Sequence, residues 1–124
     1  MLIRLGYYLV HRYKEKFDEA DLEEATQLLQ RACVLSPNRD AENLDLFIAH
    51  LGFGYQTRYS HTGEAGLLDE SIRLYRDALK LRPKGNMERP FTLYLLAGAL
   101  LTRSRDTGEI PSLMGAIDAL EEIV

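Results

Sequence analysis

The residues best suited to chemistry in this 124-residue chain are one cysteine, Cys33, and three histidines, His11, His50 and His61. A thiol and an imidazole could act as nucleophile and general base, and the same residue types could bind zinc. No two histidines have the close spacing of a metal-binding helix, and no glycine-rich oxyanion turn accompanies Cys33. We therefore expect Cys33 to be a small buried hydrophobe, and we expect no catalysis, metal or cofactor.

Pairs of adjacent acids are the other candidates for acid–base chemistry: Glu23-Glu24, Asp69-Glu70 and Glu121-Glu122. Each pair lies beside apolar residues at helical spacing. The first two pairs also lie near the start of a predicted helix, where negative charge complements the helix dipole. Solvated helix faces account for all three pairs. The glycine turns "GEAG" and "TGE" are too short to cradle a phosphate. With no candidate left for catalysis, the sequence predicts that the chain is not an enzyme.

The overall charge excludes several classes of partner. The 15 basic and 19 acidic residues are interleaved and leave a formal net charge of −4, so the basic surface that nucleic-acid binding requires is missing. Arg4, His11 and Arg12 interrupt the apolar start, and no stretch approaches the roughly 18 apolar residues that span a bilayer. We expect no nucleic acid and no membrane as partner. One cysteine without an internal partner predicts a reducing, cytoplasmic compartment.

The chain repeats itself. "DLEEATQLLQRACVLSP" (21–37) returns 46 residues later as "LLDESIRLYRDALKLRP" (67–83), and a third copy follows at a further 45 residues through Ala116, Leu120 and Ile123. A second pattern, large-x2-large-small-x2-large, precedes each copy. Its three occurrences are Leu2, Leu5, Gly6, Leu9; Ile48, Leu51, Gly52, Tyr55; and Leu93, Leu96, Ala97, Leu100. This spacing puts four residues on one helical face, with the small residue where another helix approaches.

Two helices per repeat are implied, and no strand pattern is present. Pro37 and Pro83 follow the second helix of a unit, and "TGE" at 62–64 and 107–109 supplies a glycine for the end of the first helix. The sequence predicts helices near 1–16, 20–35, 42–60, 65–81, 89–105 and 111–123. The units are about 1–40, 41–86 and 87–124, within a single domain of residues 1–124.

These residues resemble the tetratricopeptide repeat, in which W-x2-L-G-x2-Y precedes A-x3-F-x2-A-x4-P over 34 residues. Leu5-Gly6 and Leu51-Gly52 match the central L-G, and Ala25, Ala32 and Pro37 match the second half of the pattern. The period of 45 to 46 residues is longer than usual. It resembles the long-period arrays of fungal proteins that carry a caspase-like CHAT domain.

The resemblance implies an all-α fold, in which three helix-turn-helix units, six antiparallel helices, stack into a short α-solenoid. It also implies a concave groove for a peptide or helix, lined by residues beside the L-G pair. Carried over position by position, these are Tyr7, Val10, His11, His50, Phe53, Gln56, Thr57, Tyr94, Leu95, Leu101 and Thr102. The alternative is that some of these side chains, notably Phe53 and Tyr94, only fill space between the lengthened helices.

The sequence therefore predicts a non-catalytic protein-interaction scaffold whose partner is a protein or peptide. The alternative is a regulatory helical segment of a CHAT protease or signalling protein whose catalytic domain is absent from the chain. Neither end carries a polar capping helix. We accordingly expect the chain to be a fragment of a longer array or to associate end to end with a second copy.

Overall fold

The computed structural model of the chain describes residues 2–16, 18–35, 44–82 and 84–123, and the side chains of these residues except 2–4, 7 and 32–35. Over this part the chain is all-α, with six helices and no strand. The helices are α1 (Leu2–Lys16), α2 (Glu19–Leu35), α3 (Leu44–Thr62), α4 (Ala65–Lys80), α5 (Arg89–Thr107) and α6 (Ile110–Ile123). Prolines 37 and 83, predicted to end units, lie outside the described residues.

Glycines end α3 and α5 as the sequence predicts, but two residues later than expected. Gly63 and Gly108 both have φ of 74°, in the left-handed region that a side chain disfavours. The N–H of Gly63 donates to the carbonyl of Tyr59 at 2.8 Å, and that of Gly108 to Ser104 at 2.7 Å. Each helix therefore continues to the threonine before its glycine.

The helices associate in consecutive pairs: α1 packs on α2, α3 on α4, and α5 on α6. The first helix of each later pair also packs on both helices of the preceding pair, so α3 contacts α1 and α2, and α5 contacts α3 and α4. In the described part, no Cα atom of α1 or α2 lies within 8 Å of one in α5 or α6. Each pair is therefore supported only by its neighbours in sequence.

Glycines allow the close approach of neighbouring helices. A Cβ at Gly6 would overlap the ring of Phe47 on α3, and one at Gly54 would lie 2.7 Å from Cδ2 of Leu22 on α2. A Cβ at Gly52 would lie 3.0 Å from the ring of Tyr75 on α4. The prediction that the small position of the repeat marks a helix contact is confirmed for Gly6 and Gly52.

An arginine at one repeat position of each first helix forms an ion pair with an acid on a second helix. Arg12, Arg58 and Arg103 follow one another at the repeat spacing of 46 and 45 residues. Their partners are Asp21 at 2.6 Å, Glu19 at 2.9 Å and Asp69 at 3.1 Å. Arg12 thus pairs with its own unit, whereas Arg58 and Arg103 reach the second helix of the unit before.

Candidate functional site

The first helices of the three pairs lie side by side, because α3 contacts both α1 and α5. We call the surface that they share the α1–α3–α5 face. It contains a cavity of about 230 Å³, here called the α3–α5 cavity. Its lining residues are Lys14, Leu46, Ala49, His50, Phe53, Arg82, Glu88, Phe91 and Leu95.

Several of the residues predicted for a groove lie at this cavity. His50, Phe53 and Leu95 line it directly. His11 is exposed on α1, and its ring centroid lies 5.4 Å from that of His50. Tyr94 and Leu101 remain 64% and 42% exposed on α5. The structure therefore brings His11, His50, Phe53 and Leu95 together, with two more exposed side chains on the same helix as Leu95.

Other predicted groove residues have structural contacts instead. The assignment of Val10 is wrong, because Val10 is fully buried in the core between the first two helix pairs. The carboxamide oxygen of Gln56 accepts a hydrogen bond from the Tyr75 hydroxyl at 2.7 Å, which links α3 to α4. Thr57 and Thr102 donate to carbonyls of their own helices, at Phe53 and Gly98. The side chain of Tyr7 lies outside the described part.

Six lining residues were not predicted from the sequence: Lys14, Leu46, Ala49, Arg82, Glu88 and Phe91. Leu46 and Phe91 lie four residues before His50 and Leu95, one helical turn earlier on the same face. Helical periodicity could have identified both. It could not identify Lys14, because only the three-dimensional path of a long side chain brings the ammonium group to His50.

Lys14 gives the cavity a positive charge beside aromatic surface. Its Nζ lies 3.0 Å from Nδ1 of His50 and 4.8 Å from the ring centroid of Phe53. An ammonium group can only donate, so Nδ1 of His50 is the acceptor. Among the described residues, no carboxylate forms an ion pair with Lys14. Burial lowers the pKa of Lys14 below its ordinary value.

His50 is neutral at physiological pH. Burial lowers its pKa to about 4, and the proximity of Lys14, His11 and Arg82 acts in the same direction. The charge of Arg82, by contrast, is compensated by a carboxylate. Arg82 is 2% exposed and donates to Asp45 at 2.7 Å and to the Thr92 hydroxyl at 2.6 Å. Two charged groups at the cavity therefore lack an ion pair among the described residues, the ammonium of Lys14 and the carboxylate of the exposed Glu88 just before α5.

Within residues 2–16, 18–35, 44–82 and 84–123, no three His, Cys, Asp or Glu side chains are grouped so that they could hold a metal ion. None of the helices described there is long and apolar enough to cross a membrane. The side chain of Cys33 lies outside the described part.

Comparison of the chain with protein-family models, with curated proteins and with solved structures finds no match. The α1–α3–α5 face therefore provides the main physical indication of function.

Proposed function

We propose that the chain is a non-catalytic, cytoplasmic protein-interaction module that binds a peptide on its α1–α3–α5 face. We further propose that its three helix pairs form a solenoid similar to tetratricopeptide arrays, with this face as the concave surface. The packing of α3 and α5 on both helices of the preceding pair supports this arrangement. The single cysteine, which has no second cysteine in the chain for a disulfide, supports the cytoplasmic compartment.

The α3–α5 cavity is the observation that carries the proposal. Its volume of about 230 Å³ is below the roughly 300–1,000 Å³ typical of small-molecule sites, and suits one large side chain. Phe53 and Phe91 at the cavity are 39% and 56% exposed. Exposed aromatic side chains beside a cavity are typical anchors of protein interfaces, because each offers a large rigid area for contact.

Lys14 indicates the chemistry of the peptide. Its ammonium group faces apolar surface and a neutral imidazole, so a carboxylate from a ligand would gain an ion pair in a partly desolvated place. We therefore infer a peptide with a large apolar side chain and an acidic residue close to it. The apolar side chain enters the cavity, and the acid contacts Lys14.

Panning a displayed library of random dodecapeptides on the immobilised chain tests this proposal. The expected result is a selected motif with an apolar residue next to Asp or Glu. The same library is panned in parallel on the variant Phe91→Ala and on the control Met87→Ala, whose side chain is 93% exposed and does not line the cavity. The motif should be lost on Phe91→Ala and kept on Met87→Ala. Selection of no motif, or of the same motif on all three proteins, would overturn the proposal.

A further inference from the structure

The outer face of α6 exposes a continuous apolar stripe away from α5. Its members are Ile110, Leu113, Met114, Ile117 and Leu120, which are between 39% and 70% exposed. They recur every three or four residues and therefore share one side of the helix. The opposite side is buried through Ala116 and Ala119, which pack in clusters with α5. We call the exposed stripe the α6 outer face.

On α4, the residues at the equivalent repeat positions are covered by α5. Leu113, Ile117 and Leu120 stand 45 residues after Leu68, Ile72 and Tyr75. Those three residues are at most 2% exposed, and they form one cluster with Leu96, Ala99 and Leu100 of α5.

The equivalent surface of α2 is also covered, in this case by α3. Leu22 and Leu29, a further 46 residues earlier, are buried in one cluster with Leu51 and Tyr55 of α3. The α6 outer face is thus the third copy of a surface that twice receives a helix.

The two covering helices share one pattern, Leu-x2-small-large. In α3 it is Leu51, Gly54 and Tyr55, and in α5 it is Leu96, Ala99 and Leu100. Both covering helices have a residue no larger than alanine at this position, and at Gly54 a Cβ would lie 2.7 Å from a methyl group of Leu22. A helix that covers α6 in the same way needs glycine or alanine opposite Leu113, the residue that corresponds to Leu22 and Leu68.

The first helix of a second copy does not meet this requirement. In α1 the pattern is Leu5, Tyr8 and Leu9, which places a tyrosine where α3 has glycine and α5 has alanine. The Tyr8 ring is also in contact with a charge of its own helix, because the Arg12 guanidinium lies 5.7 Å from its centroid. Head-to-tail stacking of two copies in the register of the internal repeats is therefore sterically disfavoured.

Charge also disfavours pairing of α6 with α6 of a second copy. Residues 110–123 contain no Lys or Arg, and Asp118 and Glu121 remain as acids after Glu122 pairs with Arg89 of α5, so two such helices would repel each other. In each covered interface an arginine of the covering helix pairs with an acid of the covered helix: Arg58 of α3 with Glu19 of α2, and Arg103 of α5 with Asp69 of α4. The charge of α6 is therefore complementary to a basic helix.

We propose that the α6 outer face binds an amphipathic helix of another protein, one that is basic and carries Leu-x2-(Gly/Ala)-large. This helix would lie on Leu113, Ile117 and Leu120 as α5 lies on Leu68, Ile72 and Tyr75. The inference rests on the two interfaces inside the chain and is independent of the cavity on the α1–α3–α5 face.

A peptide with the sequence of α5, residues 89–107, is the probe, because this helix covers the equivalent surface in the chain. Its labelled form is titrated with the intact 124-residue protein by fluorescence anisotropy. We expect saturable binding that weakens at least tenfold in the protein variants Ile117→Glu and Leu120→Glu. The control Met87→Glu, at a residue outside the α6 outer face, should bind as the wild type does. The peptide variant Ala99→Tyr should bind at least tenfold more weakly.

Circular dichroism checks that both α6 variants remain folded, as their exposure predicts. Absence of saturable binding, or equal binding by the wild type and both α6 variants, would overturn the proposal. Sedimentation velocity of the wild type provides a further test. A concentration-dependent dimer that Ile117→Glu abolishes would assign the face to a second copy and would likewise overturn it.

Discussion

The charge of His50 is set by its surroundings rather than by its own chemistry. Its ring is half-buried, accepts from Lys14 and stands beside His11, and its pKa is lowered to about 4. The unfolded chain binds a proton on this ring below about pH 6.5, whereas the folded chain does so only near pH 4. The contribution of neutral His50 to stability is therefore present above pH 6.5 and is lost as the pH falls towards 4.

We predict that the free energy of unfolding decreases by about 1 kcal/mol between pH 7 and pH 5 because of His50, after allowance for solvent screening at a half-buried site. Urea denaturation at both pH values measures this decrease. The variant His50→Gln should lose it, whereas His61→Gln, at the exposed end of α3, should keep it. An equal decrease in wild type and His50→Gln would show that other groups cause it.

The candidate site was only partly predictable from single residues. His50, Phe53 and Leu95 follow from positions carried over from the shorter repeat. Val10 does not, because its side chain packs in the core cluster that α1 forms with α2 and α3. Lys14 reaches the site because its side chain is long, and no periodicity in the sequence indicates this contact.

At the scale of helices, replacing two glycines that have different surroundings should change the stability of the protein in opposite directions. Gly54→Ala should destabilise the protein by about 1–3 kcal/mol, because the new methyl group would meet Leu22 in a well-packed core. Gly98→Ala, within α5, should stabilise it by about 0.5–1 kcal/mol, since a Cβ there meets nothing within 4 Å and alanine favours a helix. Thermal and urea unfolding compare the two variants. Destabilisation by Gly98→Ala, or tolerance of Gly54→Ala, would contradict the open surroundings of Gly98 and the close contact of Gly54 with Leu22.

Arg82 links α3 and α5 through contacts that the repeat pattern of the sequence does not indicate. It follows α4 and reaches Asp45 on α3 and Thr92 on α5 while almost wholly buried. Arg82→Met leaves both partners without their donor and should cost about 2–4 kcal/mol of unfolding free energy in urea. The control Arg73→Met removes an arginine that is largely exposed and pairs with Glu70 and Asp77, and should cost less than about 1 kcal/mol. Equal costs would contradict a structural role for Arg82.

Most of the helix pattern could be predicted from the sequence, because periodicity and glycine are local signals. The predicted ends of α3 and α5 were two residues short, since the last turn continues up to the glycine. The ion pairs of Arg58 and Arg103 were not predicted, although their spacing of 45 residues was visible. Their partners lie on other helices at positions that do not repeat, so sequence spacing alone could not identify them.

At the scale of the whole molecule, stability should be highest in the middle of the chain. Within the described part of the chain, α3 contacts α1, α2, α4 and α5, whereas α6 contacts only α5. We predict that amides of α3 exchange with solvent deuterium at least tenfold more slowly than those of α6, because a local opening of α6 disrupts one interface and not four. Hydrogen exchange with mass spectrometry measures this gradient. Equal protection of both helices would indicate that the molecule opens only as one unit.

The proposed function of the whole molecule depends on peptide binding at the α3–α5 cavity. The most direct measurement is calorimetric titration of a peptide selected by panning against the wild type and the Phe53→Ala/Phe91→Ala double variant. Both side chains are exposed, so the fold should be preserved while the cavity wall is lost. We predict a dissociation constant at least tenfold higher for the double variant, as expected when aromatic anchors are truncated. Equal dissociation constants would contradict the assignment of this cavity as the binding site.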